Sequence, residues 1–231
     1  MRPYLGELLA LTTAVCWSLT AVFFSYSGRQ IGSDAVNRTR LLLALAFISL
    51  THWLLQGTPF PLHVETFRWG WLALSSILGL VIGDAALFEA YVLVGPRLGT
   101  LMMATVPVIS ALLAWLFLGE RVSGQEFIGI LVTIGGIAWV VTEKRENNEQ
   151  VAGGKSKIQN PKSKIDYRRG LLFGLLGALG QSTNLIAAKF ALVDHFPTIS
   201  ALHIRILVAA VIVWVVAAGQ GKVGRIVRQW R

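Results

Sequence analysis

The chain has 231 residues, of which 54% are hydrophobic and 14% are charged, and its mean hydropathy is +0.61. This composition is too apolar for an ordinary water-soluble domain. Several apolar runs of about 20 residues, each long enough to cross a bilayer core of roughly 30 Å, predict an all-α, polytopic membrane helix bundle.

The formal net charge is +9. The basic excess lies in predicted loops and in the carboxyl-terminal tail, so the headgroups of the lipid bilayer are the expected partner of these charges. The sequence has no aromatic and basic pattern typical of a nucleic-acid-binding module, and we expect no nucleic-acid partner. The only cysteine, Cys16, is interpreted as a small core residue of the first apolar run.

Hydropathy predicts about seven membrane-spanning helices, which cover residues 5–24, 35–55, 69–94, 98–118, 126–141, 170–193 and 198–218. Residues 143–169 carry eight basic and four acidic side chains and little to bury, which predicts a flexible linker. The linker separates a five-helix unit, residues 1–142, from residues 170–231, which supply two helices and a short basic tail.

The fourth predicted helix and the turn after it form a distinctive hairpin. Pro107 lies near the middle of the helix and removes one backbone donor, so the helix should kink there. The apolar run ends at residues 119–121, where Glu120 and Arg121 meet the headgroups. Ser123 and Glu126 follow at the spacing of a capping box, which predicts the start of the fifth helix.

Three features of this hairpin stand in a characteristic order: Pro107-Val108 inside the fourth helix, Leu118-Gly119-Glu120 at its end, and glycines in the fifth helix at Gly129, Gly135 and Gly136. This order resembles the EamA-type family of drug/metabolite transporters. The resemblance implies ten helices in two five-helix units and a secondary permease for small metabolites, such as amino acids, in a bacterial-type inner membrane. In the family Gly119 and Glu120 belong to a structural motif, and we expect them to orient the hairpin.

A weak internal repeat is consistent with this resemblance. When the sixth helix is aligned on the first, Ser182 falls on Ser18, and one residue of slippage later Arg205 falls on Arg40. The arginine match is the informative one, because an arginine inside a span is costly and rare. A five-helix unit that is repeated must insert its second copy upside down, which places the substrate site between the halves.

The chain departs from the family in length, because it supplies five helices plus two. We therefore expect either a carrier that works by alternating access or a truncated, non-transporting scaffold that needs a partner to complete the fold. The expected partners are a small-molecule substrate and either a second copy of the chain or a complementing half-transporter.

Asp84 is the strongest candidate for a functional residue, because it falls well inside the third predicted helix. It must face the bundle interior, where it either binds substrate or pairs with an arginine such as Arg40. Gly79 and Gly83 form a GxxxG pattern just before it, which predicts close contact with a neighbouring helix. Arg205 is expected to snorkel to the headgroups instead.

Further candidates for substrate binding are uncharged polar or aromatic residues of the first and sixth helices: Trp17, Ser18, Gln181 and Asn184. Hydrogen bonds between helices would explain them equally well. The four histidines are scattered without metal-ligand spacing, and no phosphate-binding loop or nucleophile motif is present. We therefore expect no enzyme activity, no cofactor and no metal.

Overall fold

A computed structural model describes residues 4–62, 64–119, 123–151, 164–221 and 223–228, and within these ranges it contains helices and no β-strand. The helices are α1 (Leu5–Ile31), α2 (Ser33–Gln56), α3 (Thr66–Ser76), α4 (Asp84–Leu93), α5 (Pro96–Met103), α6 (Val106–Leu118), α7 (Gly124–Val151), α8 (Lys164–Ala191), α9 (Thr198–Gly219) and α10 (Val223–Arg228). A π-helical segment, Ile77–Gly83, joins α3 to α4.

Six helical stretches are long and apolar enough to cross a membrane: Leu5–Ile31, Ser33–Gln56, Thr66–Leu93, Pro96–Leu118, Asp166–Ala191 and Thr198–Gly219. The apolar part of α7, Gly124–Val140, corresponds to the fifth predicted span but is shorter. The prediction of an all-α, polytopic bundle is therefore confirmed.

The first helix is longer than predicted, because it continues through residues 25–31, beyond the predicted span of residues 5–24. These residues pack against α4 and continue the helix. Ser25 donates a hydrogen bond of 2.9 Å to the carbonyl of Tyr91, and a Cβ atom built on Gly28 would lie 2.9 Å from Val92. The opposite half of α1 has few neighbours: residues 4–19, including Cys16, are all exposed. Interpreting Cys16 as a core residue was therefore wrong.

Both ends of the predicted linker are helical. Helix α7 continues to Val151 and α8 begins at Lys164, while residues 152–163 lie outside the described residues. Glutamate, lysine and arginine are good helix formers, so a charged stretch beside an apolar helix can extend that helix.

The predicted kink in the fourth span is confirmed. Helix α5 ends at Met103 and α6 begins at Val106, one residue before Pro107. Gly119 ends α6 in the left-handed conformation, with φ of +66°. Glu120 lies outside the described residues.

The predicted capping box at the start of α7 is also confirmed. The backbone N–H of Ser123 donates to the Glu126 carboxylate at 2.7 Å, and the N–H of Glu126 donates to the Ser123 hydroxyl at 3.3 Å. These two bonds satisfy donors that the first turn of a helix otherwise leaves free.

Helix α8 is the centre of the bundle and packs against α3, the π segment, α4, α5 and α6. Glycines permit this packing: a Cβ atom built on Gly180 would lie only 2.7 Å from the Cα of Gly83 and 2.6 Å from the carbonyl oxygen of Leu78. The close contact predicted from Gly79 and Gly83 is thus confirmed. Because α8 and α9 follow the linker, this packing joins the second part of the chain to the first five-helix unit.

Candidate functional site

Asp84 is the first residue of α4 and directly follows the π segment. A π turn widens the helix locally and is often found at functional sites. The residue is 3% exposed, so it faces the bundle interior as expected. Its Oδ2 atom pairs with Nη2 of Arg40 on α2, and its Oδ1 atom accepts a 2.8 Å hydrogen bond from Nε2 of Gln181 on α8.

The hydrogen bonds continue from Gln181 along α8 and into α9. The Nδ2 atom of Asn184 donates to Oε1 of Gln181 at 3.0 Å. The Oδ1 atom of Asn184 accepts two bonds, one of 2.7 Å from the Ser75 hydroxyl and one of 2.5 Å from Nη2 of Arg205. We call the connected side chains the central polar cluster: Asn37, Arg40, Ser75, Asp84, Gln181, Asn184 and Arg205, with Asn37 accepting from Arg40 at 3.2 Å.

The two arginines that the internal repeat aligns, Arg40 and Arg205, therefore belong to the same cluster, one through Asp84 and the other through Asn184. The expectation that Arg205 snorkels to the headgroups was wrong. Its distance from the helix end suggested an interfacial position, but Asn184 on the neighbouring helix supplies an acceptor inside the bundle. An arginine that finds an acceptor there avoids the cost of facing lipid.

The cluster is not electrically balanced. It holds two guanidinium groups and one carboxylate, and the nearby Arg38 has its own partner in Asp34 at 2.7 Å. The Nε atoms of Arg40 and Arg205 are buried, and neither has a hydrogen-bond partner in the described part of the chain. The side chain of Arg40 is nevertheless 27% exposed, so the cluster is not sealed.

Four of the six side chains that the sequence nominates for substrate binding belong to this cluster: Asp84, Arg40, Gln181 and Asn184. The other two, Trp17 and Ser18, lie on the exposed half of α1. Trp17 is 48% exposed, and Ser18 donates to the carbonyl of Ala14 in its own helix. Pro107 is exposed on α6.

Sequence reasoning missed a buried arginine near the opposite end of the third span. Arg68 falls just outside the predicted span of residues 69–94, but it is 6% exposed and donates to the carbonyls of Ala191 and Val193 at 2.7 and 2.8 Å. It also pairs with Glu65 at 2.6 Å and with Asp194 at 3.4 Å. We call these five residues the Arg68 clamp. An arginine at the start of an apolar helix looks like an ordinary flanking charge, so the sequence gives no signal for it.

Two of the scattered histidines also meet in space, with ring centroids 5.4 Å apart. Nδ1 of His52 lies 2.6 Å from the carbonyl oxygen of Thr58, which can only accept, so Nδ1 carries the proton. Nε2 of His52 lies 3.0 Å from the Ser200 hydroxyl. Nε2 of His203 lies 3.2 Å from the Ser49 hydroxyl. Both nitrogens of His52 are thus already used, and this pair is suited to joining α2 to α9 rather than to holding a metal.

Among the described residues, no group of three or more histidine, cysteine, aspartate or glutamate side chains is placed to hold a metal ion.

Comparison with known proteins agrees with the resemblance in the hairpin. Residues 4–142 match the model of the EamA-like transporter family, which covers more than half of the chain. No curated protein matches the chain.

Proposed function

Because the chain belongs to the EamA-like transporter family, we propose that it is a secondary transporter that moves a small polar metabolite by alternating access. The proposed location is a bacterial-type inner membrane. One observation carries the proposal: the central polar cluster lies between the first five-helix unit and the two helices that follow the linker.

The depth of the cluster supports this role. Asp84 is about 27 Å along its span from Thr66 and about 14 Å from Leu93, at 1.5 Å per residue. Arg205 lies about 10 Å from the start of α9 at the same rise per residue. Both positions fall inside a hydrocarbon core of roughly 30 Å, where ionisable side chains are expensive and usually mark a transport pathway.

A purely structural role is the competing explanation, because hydrogen bonds between helices also stabilise membrane bundles. Transport requires the cluster to change partners between the two access states. The Asp84–Arg40 pair and the amides of Gln181 and Asn184 suit such an exchange, because a polar solute can replace any of their mutual bonds.

The test is uptake into proteoliposomes that contain the purified full chain. Radiolabelled amino acids, small carboxylates, sugars and polyamines would be offered separately. We expect saturable uptake of at least one class, its loss in Asp84→Asn, and its retention in Asp194→Asn. The control removes a carboxylate that is 83% exposed at the membrane edge.

Saturable uptake that survives Asp84→Asn in a folded protein would assign Asp84 to packing and overturn the proposed site. Absence of uptake for every class would favour the scaffold that needs a partner.

A further inference from the structure

The central polar cluster has more positive charge than it can neutralise. We propose that it binds the anionic group of the transported solute, a carboxylate or a phosphate, and that Arg205 is the main ligand of that group. This inference rests on the proposed function, because it names the substrate class of the same site.

Asp84 is already paired with a cation. Its Oδ2 atom pairs with Arg40 and its Oδ1 atom accepts from Gln181. The negative charge of the cluster is thus matched by one guanidinium group. A solute amine would have to compete with Arg40 for the charge of this carboxylate.

Arg205 is in the opposite situation. The ion pairs of Arg38, Arg40 and Arg68 do not include it, although Asp84 acts on it electrostatically from beyond ion-pair distance. One of its Nη atoms donates to the neutral amide oxygen of Asn184, which also accepts from Ser75, and its buried Nε atom has no partner in the described part of the chain. Because Asp84 is paired with Arg40, Arg205 has no counter-charge of its own. A charge taken out of water in this way is costly, and an anion bound here would lower that cost.

The geometry of the guanidinium group defines the class of ligand. Its planar array of N–H donors matches the two oxygens of a carboxylate or phosphate, which it binds through paired hydrogen bonds. The backbone of Arg205 is held in place, because the Ser76 hydroxyl donates to its carbonyl oxygen at 2.6 Å. Arg205 is half-buried, so part of its side chain remains accessible.

The test measures the sign of the local electrostatic potential without knowledge of the substrate. Gln181→Cys is introduced in a Cys16→Ser background, so that the protein has one thiol, beside Asp84 and Asn184. The rate of modification is measured with an anionic and a cationic methanethiosulfonate of similar size, on the purified full chain. The ratio of the two rates at Gln220→Cys in the same Cys16→Ser background provides the reference, because Gln220 is exposed just past the end of α9.

We expect the anionic reagent to be favoured about tenfold or more over that reference, which an uncompensated charge a few ångström away can supply at an intermediate dielectric. The preference should disappear when Arg205→Gln is added and persist with Arg29→Gln, which removes an exposed arginine. It should also fall as salt rises from 20 mM to about 500 mM, because salt screens accessible charges. The salt series needs no second variant, so it remains decisive if Arg205→Gln does not fold.

Equal rates, a preference for the cationic reagent, or no reaction with either would overturn the anion site. The result is independent of transport. An anionic preference in a protein that moves no solute would overturn the proposed function and leave the anion site intact. Saturable uptake together with a cationic preference would do the reverse.

Discussion

The central polar cluster and the Arg68 clamp are both buried polar groups that tie α8 to the first five-helix unit, yet they differ in how completely their atoms are used. Arg68 distributes its donors among two carbonyls and two carboxylates. In the cluster, Arg40 and Arg205 each keep a buried Nε atom without a partner in the described ranges. A fully satisfied group holds two elements together, whereas an unsatisfied one has capacity for a ligand.

We expect the largest effect on stability when the cluster loses the carboxylate of Asp84. Asp84→Asn leaves Arg40 without its counter-charge. We expect a loss of about 3 kcal/mol in the free energy of unfolding, the lower end of the range for breaking a buried pair, because Arg40 is 27% exposed. Denaturant unfolding in detergent would measure it. The double variant Asp84→Asn/Arg40→Gln removes both charges and should recover most of the loss; failure to recover would mean that the pair does not act as a unit.

Disrupting the Arg68 clamp should lower the free energy of unfolding by a smaller amount, and its structural effect should be confined to the neighbouring turn. Arg68→Gln removes the charged donor to Ala191 and Val193, with an expected cost of about 2 kcal/mol. The turn that follows contains Asp194 and His195 at φ of +55° and +56°, a conformation that side chains rarely adopt without support. Limited proteolysis should therefore cut near residues 192–197 sooner in Arg68→Gln than in Arg29→Gln. Equal cutting rates would show that the clamp does not hold this turn.

A substitution beside the cluster should have the smallest effect on the free energy of unfolding. It tests whether a change in helix packing displaces the side chains of the cluster. Gly180→Ala places a Cβ atom against the backbone of Gly83 and Leu78, which can move only with the helix, so we expect a cost of about 1–2 kcal/mol. Gly129→Ala on α7 is the matched control, since nothing lies within 4 Å of its added atom. The Gly180 change should also shift Gln181 away from Asp84 and reduce transport. Equal stability of the two variants would contradict the close packing of α8.

Local signals predicted most of the fold. The break before Pro107 and the capping box of Ser123 and Glu126 depend on neighbours within a few residues, so the sequence contains all the information they need. Helix ends were less predictable: α1 continues past position 24 because Ser25 and Gly28 pack against α4, a contact that periodicity does not reveal.

The residues of the candidate site also fall into two groups: those that local sequence signals predicted and those that they did not. Asp84 and Arg40 could be nominated because charges within spans are rare. Arg205 was misplaced because its acceptor, Asn184, is on another helix. Arg68 and the pair of His52 and His203 were missed because loops bring their partners together across more than a hundred residues.

We propose that the central polar cluster is a substrate site and not only a structural contact. The most direct test is uptake by the Asp84→Asn/Arg40→Gln double variant, measured per amount of folded protein in proteoliposomes. We expect the free energy of unfolding to return to within about 1 kcal/mol of the unaltered protein, because no unpaired charge is left from this pair, while saturable uptake stays abolished. Recovery of uptake together with stability would contradict it, because the pair would then serve only to hold the helices together.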